Sequence, residues 1–118
     1  MKTVISTKKA PSAIGPYSQA ILIGKTLYTS GQIALNAETG ELNMSTLNEE
    51  ANLVMSNLKE VLKAADMTFE NVVKSTIFLK DMNDFVEVNE IYSSYFKSDF
   101  PARETVQVAG LPKGVNVE

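Results

Sequence analysis

The sequence contains no cysteine and no histidine. The first absence excludes disulfides, thiolate metal sites and a Cys nucleophile together. The second removes the commonest general base and the commonest metal ligand. Catalysis by this chain must draw on carboxylates, Tyr, Lys, Arg, backbone groups or water. No apolar run approaches the roughly 20 residues of a membrane span. No apolar core follows Lys2 that would read as a secretory leader. Basic charge is also sparse: 11 Lys and Arg stand against 14 Asp and Glu, for a net charge of -3. The basic residues are scattered, with Lys8-Lys9 the densest clump. Phosphate neutralisation needs clustered Lys and Arg, so nucleic acid is not an expected partner. A membrane is not one either, and the expected location is the cytoplasm.

The 118 residues fit one domain, 1–118, and 44% of them are apolar, enough for one compact core. A chain this long buries roughly two thirds of its unfolded surface and needs no metal or disulfide to fold. Lys2–Thr7, Ser18–Ile23 and Thr26–Gly31 read as strands, and Gly24-Lys25 between the last two predicts a tight hairpin of the II′ kind. Asn36–Gly40 reads as a turn. Ser45–Asp66 is the clearest helix. Leu47, Ala51, Val54, Met55, Leu58, Val61, Leu62 and Ala65 recur at spacings of 3 and 4, and Thr46 with Glu49 predicts a capping box. Val72–Leu79 is short, β-branched and apolar, as a central strand with both faces covered would be. Asp84–Lys97 repeats Phe85, Val88, Ile91, Tyr92, Tyr95 and Phe96 at helical spacing, with Asn83 as its expected cap. Glu104–Ala109 and Val115–Glu118 read as the last strands.

This order predicts an α+β fold: one mixed sheet of about six strands, opened by a hairpin, with two helices on one face. The other face would be apolar and uncovered in a single copy, so oligomerisation is expected.

Three ordered segments resemble the Rid family of reactive intermediate deaminases, also called the YjgF family. They are Ile14-Gly15-Pro16-Tyr17-Ser18-Gln19, Thr29-Ser30-Gly31-Gln32-Ile33, and Phe100-Pro101-Ala102-Arg103 followed fifteen residues later by Glu118. Leu79-Lys80-Asp81-Met82-Asn83-Asp84-Phe85 and Val88-Asn89 also match the family pattern. The resemblance implies a fold like trimeric chorismate mutase and a homotrimer with ligand clefts between subunits. It implies hydrolysis of reactive 2-imino acids and enamines, such as 2-aminoacrylate and 2-iminobutanoate, to 2-keto acids and ammonia, with no cofactor and no metal. It also implies that the last strand is cut short here, because family members continue beyond this Glu.

On that resemblance Arg103, Glu118 and Tyr17 are the candidate catalytic residues. Arg103, Gly31, Thr105 and Tyr17 are the candidate substrate contacts. A guanidinium fork can grip a substrate carboxylate through two parallel hydrogen bonds. A carboxylate can hold and polarise the water that attacks the imine carbon. Glycine at 31 permits close backbone approach. If Glu104–Ala109 is a strand, Arg103 and Thr105 share a face and Glu104 points to the other. Asn89 reads as structural or interfacial. Thr105 stands where the family often has Cys, which leaves a backbone contact there but excludes thiol chemistry. Two alternatives stay open: a non-enzymatic trimer that binds small carboxylates, and an RNA-cleaving translation inhibitor.

Overall fold

The computed structural model describes all residues, 1–118. Five strands and two main helices follow the expected order: β1 (Lys2–Ile5), β2 (Ala20–Ile23), β3 (Thr26–Thr29), α1 (Leu47–Ala64), β4 (Lys74–Leu79), α2 (Phe85–Ser93) and β5 (Ala102–Gln107). No helix is long and apolar enough to cross a membrane.

The hairpin forms where expected. β2 pairs antiparallel with β3, and β1 with β2. Gly24 has φ +58 while Lys25 stays out of the positive-φ region, which fits a II′ turn and explains glycine in first place. At Asn36–Gly40 the Asn36 side chain accepts hydrogen bonds from the Glu38 and Thr39 amides, and Gly40 turns at φ +73.

α1 starts as its sequence specifies. Thr46 accepts from the Glu49 amide at 3.1 Å, but its hydroxyl also donates to the Glu49 carboxylate, so the cap is one-sided. The helix ends two residues short of the expected Asp66. Asp66 adopts φ 57, and the Met67 and Asp66 amides bond back to the Leu62 and Lys63 carbonyls in a Schellman motif. The apolar stripe buries Ala51, Val54, Met55, Val61 and Leu62. Two polar residues lie in that stripe and are buried with it. Glu50 is wholly buried and accepts hydrogen bonds from Asn116 N and Asn116 Nδ2, both at 2.7 Å. Asn57 donates to the carbonyls of Ile33 and Leu35 at 3.1 and 3.0 Å.

α2 is shorter than the expected Asp84–Lys97. Ser93 and Ser94 turn their hydroxyls onto the Glu90 and Ile91 carbonyls, a local bond that competes with continuing the helix. Tyr95 and Phe96 still pack on the core beside Phe69, because the spacing encoded their burial rather than their backbone. Asn83 does not cap α2. Asp81 instead accepts from the Asn83 amide and opens a short 3₁₀ turn, Met82–Asp84, that leads into the helix.

The single six-stranded sheet is corrected to two sheets, β1-β2-β3 and β4-β5, the latter parallel across the α2 connection. Val115–Glu118 is not a full strand. It runs antiparallel to β4 through a bridge between Leu79 and Val117, with bonds to the backbone of Phe78 and Lys80. No backbone bond joins 115–118 to residues 30–33, so the ladder stops there. β4 is therefore central, but only one face is covered. Ile77 and Leu79 point into the core with Val88, Ile91, Tyr92 and Val117. On the hairpin's outer face Val4 and Tyr28 are exposed, and Val106 is exposed on β5. The apolar open face expected from helix count is present.

Candidate functional site

β5 pairs only with β4 and leaves its other edge free. Arg103 stands on it opposite Ser75, and Thr105 opposite Ile77. The pleat sends both side chains toward the helices. Arg103 lies over α2: its guanidinium carbon is 5.1 Å from the Tyr92 ring centroid and 5.7 Å from that of Phe85. Its Nη1 donates to Asn89 Oδ1 at 2.8 Å. That is the guanidinium's sole bond to the protein, and no carboxylate lies within 4.0 Å of it. Two aromatic faces and a neutral amide thus hold a cation that has several N–H donors to spare. On the same face the Thr105 hydroxyl is buried without a partner.

Glu104 points the other way, as alternation requires. It accepts from Lys74 Nζ at 3.1 Å and Thr76 Oγ1 at 3.0 Å, and these bonds hold its carboxyl below the usual carboxylate range. Its charge is therefore engaged on the open face, away from Arg103.

Glu118 belongs to a second region. It exchanges both backbone hydrogen bonds with Phe78. Directly opposed residues share a face, so the Glu118 side chain leaves on the open side with Phe78, opposite the core-facing Ile77 and Leu79. It lies against Gly31. A Cβ built on Gly31 would stand 2.6 Å from Glu118 Oε2 and 2.9 Å from its carboxyl carbon. Any side chain at 31 would push the carboxylate away. Partial burial raises the Glu118 pKa from its ordinary value, since desolvation penalises the anion.

Tyr17 stands on the rim of an open cleft of about 360 Å³ lined also by Pro16, Tyr28, Thr29 and Ser30, the residues that lead into Gly31. Its ring is half exposed, and its hydroxyl accepts a long bond from the Ile14 amide at 3.4 Å. Gln19 fixes the preceding loop by accepting from the Thr7 amide and donating to the Thr7, Ala10 and Pro11 carbonyls. Ser30 Oγ donates to the Ser18 carbonyl and ties the Tyr17 loop to the Gly31 segment.

The five candidate residues therefore fall into two groups. Arg103 and Thr105 face the helices at the free edge of β5. Glu118 and Gly31 meet on the open side, with Tyr17 on the adjoining cleft. Within one chain the guanidinium and the Glu118 carboxylate do not meet. No group of three or more Asp or Glu gathers where a metal ion could be held.

Three participants were not assigned to the site from the sequence, where Phe85 and Tyr92 read as stripe residues and Asn89 as structural or interfacial. Phe85, Asn89 and Tyr92 form the seat of Arg103, and their spacings of 4 and 3 put them on one face of α2. That pattern was readable for the aromatics, but an Asn beside an apolar stripe does not announce an arginine from another element.

A family profile described as Endoribonuclease L-PSP matches residues 7–118. A human protein named 2-iminobutanoate/2-iminopropanoate deaminase is 55% identical over 118 residues, covering 100% of this chain and 86% of the relative. Among solved structures, a Yersinia pestis protein of the conserved Rid family superposes with a TM-score of 0.96 at 49% identity, covering 99% of this chain and 94% of that one. The Escherichia coli protein TdcF, solved with bound serine, does so with a TM-score of 0.93 at 39% identity, covering 98% and 92%. With a match across all but its first six residues and full-length relatives above half identity, this chain belongs to the Rid family, whose profile carries the name Endoribonuclease L-PSP.

Proposed function

We propose that this protein hydrolyses reactive 2-imino acids and their enamine tautomers to 2-keto acids and ammonia. The single observation that carries the reading is Arg103: a guanidinium seated on Tyr92, Phe85 and Asn89, with no acidic partner and most of its donors free. Such a group suits the carboxylate common to every 2-imino acid. The full-length relatives named as 2-iminobutanoate/2-iminopropanoate deaminases support the choice of chemistry.

In this mechanism Arg103 fixes the substrate carboxylate, and the backbone groups of Gly31 and Thr105 supply further contacts. Glu118 holds a water molecule and takes its proton as the oxygen attacks the imine carbon. The C=N π bond opens to a tetrahedral aminol. Glu118 returns the proton to nitrogen; as the C–N bond breaks it takes the proton of the aminol hydroxyl, so ammonia leaves while the C=O bond of the keto acid forms. Tyr17 orients substrate or water at the rim. Positioning supplies most of the acceleration, since a protonated imine is already electrophilic.

One copy does not bring Arg103 and Glu118 onto one face, so the site is assigned to the junction of two. The exposed apolar residues Val4, Tyr28 and Val106 on the open face support a self-association that would bring one copy's Glu118 side to another's β5 edge. We assign a homotrimer with three such clefts, built from one domain over 1–118 and working in the cytoplasm.

A binding-only role would use the same arginine, and the serine bound to TdcF keeps small carboxylates in view as ligands. Following the loss of 2-iminobutanoate generated in situ separates the two. Faster loss with protein, abolished in a folded Arg103→Ala variant, supports the hydrolase. Unchanged loss with saturable 2-ketobutyrate binding supports the binding module. Salt-sensitive RNA binding would instead favour a nuclease.

A further inference from the structure

The Glu118 carboxylate lies against Gly31, yet neither residue's segment is held to the other by a backbone ladder. Each has its own backbone neighbours, β4 for residues 116–118 and Gln19 for Ser30, and the element that bonds to both is α1. Glu50 and Asn57 are seven residues apart, two helical turns, and belong to the run Leu47, Glu50, Val54, Asn57, Val61 on its buried face. Glu50 takes both donors of Asn116, two residues before Glu118. Asn57 takes the carbonyls of Ile33 and Leu35, two and four residues after Gly31. A carboxylate and an amide in an apolar stripe are costly, and apolar residues would pack there more simply. Each is instead spent on a single irregular segment, and the two segments are those that meet at the Glu118–Gly31 contact.

We infer that Glu50 and Asn57 are positioning residues that set where the Glu118 carboxylate stands over Gly31. The inference rests on the proposed role of Glu118 in delivering water. The helix acts as a common frame: it fixes the C-terminal segment at Asn116 and the Gly31 segment at Ile33 and Leu35. Beside the bonds of residues 116–118 to β4, two side chains of one rigid element thus tie the carboxylate's segment to the glycine's. Arg103, seated on α2 and β5, is not part of this frame.

The test uses the complementarity of the Glu50–Asn116 pair. Asn116→Asp sets one carboxylate against another and breaks the clamp. Adding Glu50→Gln restores it, with the Gln amide donating to the new Asp and its carbonyl accepting from the residue 116 amide. The full chain is assayed for imine hydrolysis. N116D is expected to lower kcat about 10-fold or more with KM unchanged, since small misplacements of a reacting group cost rates of order 10–100-fold. The E50Q/N116D double variant is expected to recover most of that loss. Asn57→Ala is expected to lower kcat in the same sense. A folded N116D with wild-type kcat overturns the inference, as does a kcat loss that the double variant leaves in place. Should N116D not fold, Asn116→Ala keeps the backbone bond and is read in the same way; wild-type kcat there also overturns it. Glu118→Gln is run alongside. If it keeps wild-type kcat, the role of Glu118 itself falls; if it loses activity while N116D does not, the positioning inference alone falls.

Discussion

The Arg103 side and the Glu118 side of this molecule are built by different means. Arg103 sits on regular structure. Its strand is in register with β4, and its guanidinium rests on two aromatic rings and one amide of a packed helix. Glu118 sits on a bridge rather than a strand, against a glycine, and its segment is held by three backbone bonds to β4 and by side-chain bonds from α1. The difference matches the two tasks proposed for them. Gripping a carboxylate needs a rigid fork in a fixed plane. Handling a water and a proton needs a carboxylate close to backbone, where even one methyl would displace it.

The comparison breaks most sharply at Gly31. Gly31→Ala would place a methyl 2.6 Å from Glu118 Oε2. The expected result is a kcat loss of about 100-fold with substrate affinity largely kept, in line with the 10²–10⁴-fold scale of general acid–base help. Unchanged kcat would remove Glu118 from the chemical step. On the other side, Arg103→Ala removes two charge-assisted bonds of about 1.5–3 kcal/mol each. The expected loss in kcat/KM is about 10²–10⁴-fold, and it appears in KM as well as kcat. A loss confined to kcat would mean that Arg103 does not anchor the substrate.

The acid limb of the activity is assigned to Glu118. Its pKa is raised above the ordinary 4.5 by desolvation, so activity that needs the anion should fail on the acid side at a pH above that value. Glu118→Gln should erase this limb and Arg103→Lys should keep it. The linkage to stability has the opposite sense. A carboxyl whose folded pKa is raised favours the protonated folded state, so its contribution is present below 4.5 and is lost as pH rises through the folded value.

Smaller effects sharpen the contrast. Asn89→Ala frees the guanidinium from its single hydrogen bond and is expected to raise KM about 5- to 10-fold with kcat nearly constant, less than a full hydrogen bond to a charged group because the Tyr92 and Phe85 rings still hold it. Lys74→Ala removes the exposed partner of Glu104 on the far face. It is expected to leave the denaturation midpoint and both kinetic constants unchanged, as for most surface ion pairs. A marked effect would show that the Glu104 field reaches the site.

The sequence disclosed the fold through periodicity, and the departures have local causes. Apolar spacing located α1, α2 and the hairpin because burial imposes those periods. It overextended α2 because Tyr95 and Phe96 pack half-buried against the core without being helical. It overcounted the sheet because Val115–Glu118 has the composition of a strand but pairs, among the strands, only with β4. Arg103 and Glu118 were named through a family pattern, since nothing in spacing alone distinguishes an anchoring arginine from a surface one. Their separation onto two faces follows from register, which no linear pattern specifies. Glu50 and Asn57 were readable as polar residues at apolar positions, but their partners, 66 and 22–24 residues away, were not.

The claim that the working site joins two copies is tested most directly by mixing two impaired variants. Arg103→Ala and Glu118→Gln protein, each folded and with only residual activity alone, are co-assembled in equal amounts and assayed for imine hydrolysis. If one copy supplies the arginine and its neighbour the carboxylate, random mixing should restore about one quarter of wild-type activity, the share of junctions with both groups intact. A mixture that forms mixed oligomers yet shows only the residual activity of its components would contradict the account.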